Sequence, residues 1–176
     1  MTDNKICVCI VGKSGTGKST IVNSIPTIDI LNSYTTRPPR FSDEKGHIFI
    51  TDEEYDKLKN IIAETKFGKY RYCATKSQID NSDVYILDKN GVKAIDNNYI
   101  GKNNKRDIFV IYVKTKFTER LKRCIKDDGF LKGIKRMLRD IGKFNHMQYI
   151  ADYVVNNNTY NDFESIRMLL TSLVDV

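Results

Sequence analysis

The run Gly12-Lys13-Ser14-Gly15-Thr16-Gly17-Lys18-Ser19 matches G-x-x-x-x-G-K-[ST], a pattern whose residue types suit a phosphate chain. Its glycines let the backbone turn tightly, so that successive N–H groups point at phosphate oxygens. The Lys18 ammonium is then placed for the β- and γ-phosphates, and the Ser19 hydroxyl for a Mg²⁺ ion. A chance match in a chain of 176 residues is on the order of one in a few hundred. The expected ligand is a nucleoside triphosphate held by Gly12, Ser14, Gly15, Thr16, Gly17, Lys18, Ser19 and Thr20.

A second basic segment follows at Ser33-Tyr34-Thr35-Thr36-Arg37-Pro38-Pro39-Arg40. Two arginines three apart, stiffened by prolines, suit bidentate contact with a phosphate at reduced entropic cost. Alone this reads equally as a solvated basic loop. Beside a phosphate loop it points to a kinase whose acceptor also carries a phosphate.

Such groups need a frame. Lys5 to Gly12 reads as a strand apolar on both faces, and a short helix closed by Pro26 follows the glycine turn. Ile28 to Leu31 is a short apolar run, and residues 33–46 read as polar and irregular. Asp52 to Ile62 has helical spacing, with Thr51 as N-cap and Glu54 three positions on. Val84 to Leu87, Ile108 to Val113 and Tyr153 to Val155 are strand candidates. Phe117 to Cys124 and Leu131 to Met147 read as basic helices, and Phe163 to Leu173 as an amphipathic one. Strands alternating with helices imply an α/β fold with a parallel sheet between helical layers.

Composition narrows the class. The chain carries 29 Lys and Arg against 22 Asp and Glu, a net charge of +7, which favours anionic partners without naming them. No apolar run approaches the ~20 residues that cross a bilayer, and no signal peptide is evident, so a cytoplasmic protein with no membrane partner is expected. Cys7, Cys9, Cys73 and Cys124 read as reduced and structural, with no second Cys or His pair to complete a zinc site. The 10 tyrosines are scattered and form no base-stacking platform, which argues against nucleic acid as partner.

Beyond the phosphate loop, the order of motifs resembles the guanylate kinases. Gly12 to Thr20 is similar to their G-P-S-G-x-G-K-S-T, with Lys13 for Pro, and Ser33 to Arg40 to their S-x-T-T-R-x-P-R. Tyr85-Ile86-Leu87-Asp88 with Gly91-Val92 resembles I-L-D-x-x-x-x-G-V, about two residues shorter, and Asp152 to Asn157 resembles D-Y-V-I-x-N. The resemblance implies a single P-loop kinase domain, a three-layer α/β sandwich on a parallel sheet. Its core would be about 1–31, 84–117 and 148–176, with a monophosphate-binding region at about 32–83 and a helical lid at about 118–147. It implies transfer of the γ-phosphoryl of ATP, with Mg²⁺, to GMP or dGMP, in a monomer or homodimer. Arg37 and Arg40 would hold the GMP phosphate, helped by Tyr72, while Ser33, Glu64 and Asp88 would face guanine. A carboxylate such as Glu64 can accept from both guanine N1–H and N2–H₂, a pair adenine lacks. Asn157 would border the ATP base. Lys18, Arg37, Arg120 and Arg136 would carry the chemistry, with Arg123 as a possible substitute for a family arginine absent at Cys124.

Departures from the family pattern bear on specificity. His47 stands where a phosphate-binding tyrosine is expected, next to a two-residue deletion, and reads equally as a phosphate contact or a loop histidine. Cys73 and Ala74 replace a Gly and a Ser or Thr. Two alternatives stay open: a kinase for another nucleoside monophosphate, and a guanylate-kinase-like binding module without turnover. The intact Lys18 and Ser19 argue against the second.

Overall fold

The structure is a computed structural model that describes residues 6–98 and 108–174. In chain order its elements are β1 (Cys7–Val11), α1 (Lys18–Asn23), β2 (Ser33–Thr35), β3 (His47–Phe49), α2 (Asp52–Asp56), β4 (Ile61–Phe67), β5 (Tyr70–Thr75), α3 (Lys76–Asp80), β6 (Val84–Leu87), α4 (Lys89–Asn98), β7 (Ile108–Lys114), α5 (Phe117–Asp128), α6 (Phe130–Leu138), β8 (Tyr153–Asn156) and α7 (Tyr160–Val174).

The central sheet runs β6-β1-β7-β8 with every pairing parallel. A parallel sheet is covered on both faces, and β1 is buried at every residue. Its alternation divides the core. Cys7, Cys9 and Val11 pack with Tyr85, Val92, Ile95 and Val110 on one side. Val8 and Ile10 pack with Ile21, Val22, Ile166 and Leu170 of α1 and α7 on the other. The amphipathic C-terminal helix reads correctly from its sequence because it spends one apolar stripe on this second face. All four cysteines are buried and none is joined in a disulfide. Among the described residues no helix is long and apolar enough to cross a membrane.

A second sheet, β3-β2-β5-β4, lies within the segment inserted after α1. Here the structure departs from the sequence expectation. Ser33–Thr35 is not irregular but a strand, parallel to β3 and antiparallel to β5. The helix expected over 52–62 stops at Asp56. Its N-terminus has the expected capping box between Thr51 and Glu54. Asn60 then takes a positive φ of 55°, and Ile61 opens β4, whose pairing with β5 supplies hydrogen bonds that another helical turn would have had to match. The helix expected over 131–147 also differs: α6 ends at Leu138, and a chain of turns leads to a 3₁₀ turn at Met147–Tyr149. Helices α5 and α6 approach so closely that a Cβ at Gly133 would lie 2.7 Å from the Cys124 carbonyl oxygen. That glycine permits the close packing of the two helices.

Candidate active site

The glycine-rich turn between β1 and α1 holds Gly15 at φ 75° and Gly17 at φ 87°, which side chains other than hydrogen rarely allow. A Cβ at Gly15 would also stand 2.7 Å from the Arg120 carbonyl oxygen and the Cys124 sulfur, so the loop lies directly against α5. Lys18 folds back over the loop, donating to the carbonyls of Gly12 at 2.6 Å and Lys13 at 3.2 Å. Burial pulls its ammonium down to about 8, partly opposed by the Asp140 carboxylate. Thr16 is buried, donating to the Lys13 carbonyl at 2.8 Å and accepting at its own carbonyl from the Asn157 amide at 2.8 Å. Ser19 and Thr20 are exposed in the first turn of α1.

Two arginines of α5 touch this loop. The Arg120 Nε donates to the Ser14 carbonyl at 2.8 Å, and its Nη2 lies 3.3 Å from Asp140 Oδ2. The Arg123 guanidinium donates to the Asn157 carbonyl at 3.1 Å. Arg123, Asn157, Gly17, Thr20 and Tyr160 line a cavity of about 400 Å³ beside the loop, large enough for a nucleoside. Arg136 pairs with Asp128 at 2.8 Å. Together with Lys132, Lys135 and Arg139 it borders a second cavity of about 590 Å³, which Ser14 closes at one side and Arg40 at another.

Arg40 belongs to the acceptor side. Its guanidinium is largely exposed, 3.7 Å from Glu44. Arg37 is engaged by both carboxylate oxygens of Glu44, at 2.8 and 3.1 Å, while its Nε is buried without a partner. This clamp, with the Arg40 N–H bond, holds the Glu44 carboxyl down at about 2. Glu44 foremost, and with it Tyr72, push the Arg37 guanidinium further above its ordinary value. The ring of His47 meets Tyr72 edge-on at 5.6 Å, and its Nδ1 lies 3.0 Å from the Ser33 hydroxyl. Burial and the Arg37 charge push the His47 imidazole below its usual 6.5, so it is mainly neutral at pH 7.

Strand register decides which side chains share this face, because directly opposed residues point the same way. Ser33 opposes His47, and Thr35 opposes Tyr72, which opposes Thr65. Glu64 opposes Cys73, which opposes Tyr34, and so belongs to the other face. There it accepts from the Tyr55 hydroxyl at 3.0 Å and sits 3.8 Å from Arg71, with its side chain 53% exposed. The structure therefore does not bring Glu64 to Ser33 and Tyr72, contrary to its expected place beside the base. Spacing along the chain settles facing only when the register across the β4–β5 hairpin is known, and that register pairs Glu64 with Cys73 rather than with Tyr72. Asp88 caps α4, accepting from the Gly91 N–H at 2.9 Å, and borders a small cavity with Thr65 and Lys143.

No protein-family model matches the chain. Comparison with curated proteins finds a guanylate kinase of Koribacter versatilis (strain Ellin345), 28% identical over 183 residues, spanning 92% of this chain and 76% of that protein. A guanylate kinase of Cutibacterium acnes (strain DSM 16379 / KPA171202) is 29% identical over 111 residues, 53% of this chain and 56% of that one. Among solved structures, the crystal structure of guanylate kinase from Anaplasma phagocytophilum superposes with a TM-score of 0.62 at 18% identity, covering 97% of this chain and 86% of its own. The chain is guanylate-kinase-like in sequence and fold.

In this guanylate-kinase-like chain the phosphate loop, Arg120, Arg123 and Asn157 converge on one side, and Arg37, Arg40, His47, Ser33 and Tyr72 gather on the other. Two carboxylates at the arginines were not anticipated. Glu44 lies four residues after Arg40, a spacing that carried a local signal. Asp140 carried none, since 126 residues separate it from Ser14.

Proposed function

We propose that the protein transfers the γ-phosphoryl group of ATP to GMP or dGMP, forming the nucleoside diphosphate and ADP. The observation that carries this reading is the basic cavity lined by both Ser14 of the phosphate loop and Arg40 of the acceptor segment, together with Arg136 and Arg139. Phosphoryl transfer needs charge neutralisation and alignment more than covalent chemistry, and five arginine and lysine side chains line that cavity besides Arg40.

In this reading ATP lays its base in the cavity of Arg123 and Asn157, and Lys18 and the loop N–H groups take the phosphates. Among the described residues no three His, Cys, Asp or Glu side chains are grouped to hold a metal. Magnesium would come with the triphosphate, where it shields phosphate charge, and the exposed Ser19 hydroxyl offers it one oxygen. The acceptor phosphate meets Arg37, Arg40 and Tyr72. It attacks as an anion near neutral pH, since its second pKa is about 6, so no side chain must take a proton. The lid arginines Arg120 and Arg136 offset the charge that develops between the two nucleotides.

The test is a panel of monophosphates with ATP and Mg²⁺, read as ADP release. GMP or dGMP should turn over fastest. Faster turnover of dTMP, CMP or AMP would replace the guanine reading with that base, and no turnover of any would favour a binding module.

A further inference from the structure

The phosphate loop holds an anion that is the protein's own. The Ser14 N–H donates to Asp140 Oδ2 at 2.5 Å. The same oxygen is 3.3 Å from the Arg120 guanidinium, whose Nε returns to the Ser14 carbonyl at 2.8 Å. The three groups close a ring of contacts. The Arg120 side chain is only 8% exposed and that of Asp140 only 13%. A loop N–H aimed out of a glycine-rich turn, with a guanidinium beside it, is the setting in which a phosphate oxygen is bound. Asp140 stands in the chain of turns after α6, so its carboxylate comes from the lid and not from the loop it caps. Lys18 meanwhile bonds back onto the Gly12 and Lys13 carbonyls. On the acceptor side Glu44 occupies the fork of Arg37 in the same manner.

We propose that Asp140 is a built-in competitor for the donor phosphates, a residue that sets nucleotide affinity by occupying the phosphate position until ATP or ADP displaces it. The inference rests on the donor-site reading of the phosphate loop. A polyphosphate and a carboxylate cannot share the Ser14 N–H and Arg120, because both are anions and the contact admits one oxygen. Nucleotide binding thus exchanges one anion for another, and its free energy is reduced by that of the internal contact. Because Asp140 is part of the lid, the exchange also frees the segment after α6 to re-dock on the nucleotide.

The experiment is calorimetric titration of ADP, and of AMP as a probe without a β-phosphate, into the full chain and its variants. Asp140→Asn and Asp140→Ser should bind ADP about tenfold more tightly than the unmodified protein. Asp140→Glu, which keeps the charge, should not bind it more tightly, and AMP affinity should be the same throughout. Folded Asp140→Asn with unchanged or weaker ADP binding would overturn the inference and leave Asp140 as a tether for Arg120. Should the neutral variants not fold, the carboxyl ¹³C resonance of Asp140 in the unmodified chain decides. Saturation with inorganic tripolyphosphate should move it towards a solvated position, and no movement overturns the proposal. Separately, if Lys18→Ala binds ADP as well as the unmodified protein, the donor-site reading falls and the inference with it.

Discussion

Lys18 is the residue whose chemistry is most directly measurable. Burial lowers its ammonium to about 8, so the free protein carries that charge below pH 8 and loses it progressively above. Affinity for ATP should therefore hold roughly level up to pH 8 and fall beyond it, as titrations across that range will read. Lys18→Ala should remove this dependence and lower turnover by about 10²–10³-fold, the scale for removing a group that stabilises developing charge. Glu64 makes the opposite prediction. Its carboxylate serves the Tyr55 hydroxyl and Arg71 on the far face of the second sheet. Glu64→Gln should leave the KM for GMP within about twofold, the usual reach of a substitution outside a site. A tenfold rise would return Glu64 to the base and contradict the strand register. Ser33 and Asp88 remain the expected guanine-facing groups that this geometry leaves available.

At the scale of elements, the segment expected as a lid is organised by the approach of α5 to α6. Gly133 packs against the Cys124 carbonyl with no room for a Cβ, and Cys124 in turn packs against Gly15 of the phosphate loop. Gly133→Ala should force α6 away from α5 at a cost of about 1–3 kcal/mol, seen in denaturant unfolding. It should also raise the KM for ATP, because Arg120 and Arg123 reach the loop from α5. Elements with local causes were legible in the chain. The capping box of Thr51 and Glu54 starts α2 where its residue types predict. The second sheet was not legible, since β2 and β3 are three residues each: β2 gains strand character from Cys73 and Tyr72, about 38 positions away, and β3 from β2 in turn.

For the whole molecule, the net charge of +7 acquires an address. Arg123 lines the cavity beside the phosphate loop, Arg40 and Arg136 line the larger basic cavity, and Arg120 and Lys18 contact the loop itself. A ligand that spans these places, adenosine and guanosine joined through five phosphates, should engage all three together. At one hundred times its Kd it would add about 2.7 kcal/mol of stability. For a chain of this size that corresponds to a rise in Tm of about 5–11 °C by thermal unfolding. A shift no larger than that given by ATP alone would mean that the acceptor side does not take part.

The sequence by itself determined the phosphate loop, the buried strand before it and the chemical class of its ligand, because these depend on residues within a dozen positions of one another. It also determined that the excess charge included arginines able to hold a second phosphate. Only the tertiary structure decided which carboxylates meet those arginines. Facing in a strand reverses with a shift of one residue, so Glu64 lies on the far side although its spacing to Tyr72 placed it near the base. Contacts such as Ser14 with Asp140 join residues 126 positions apart, and nothing local in the chain encodes that closure.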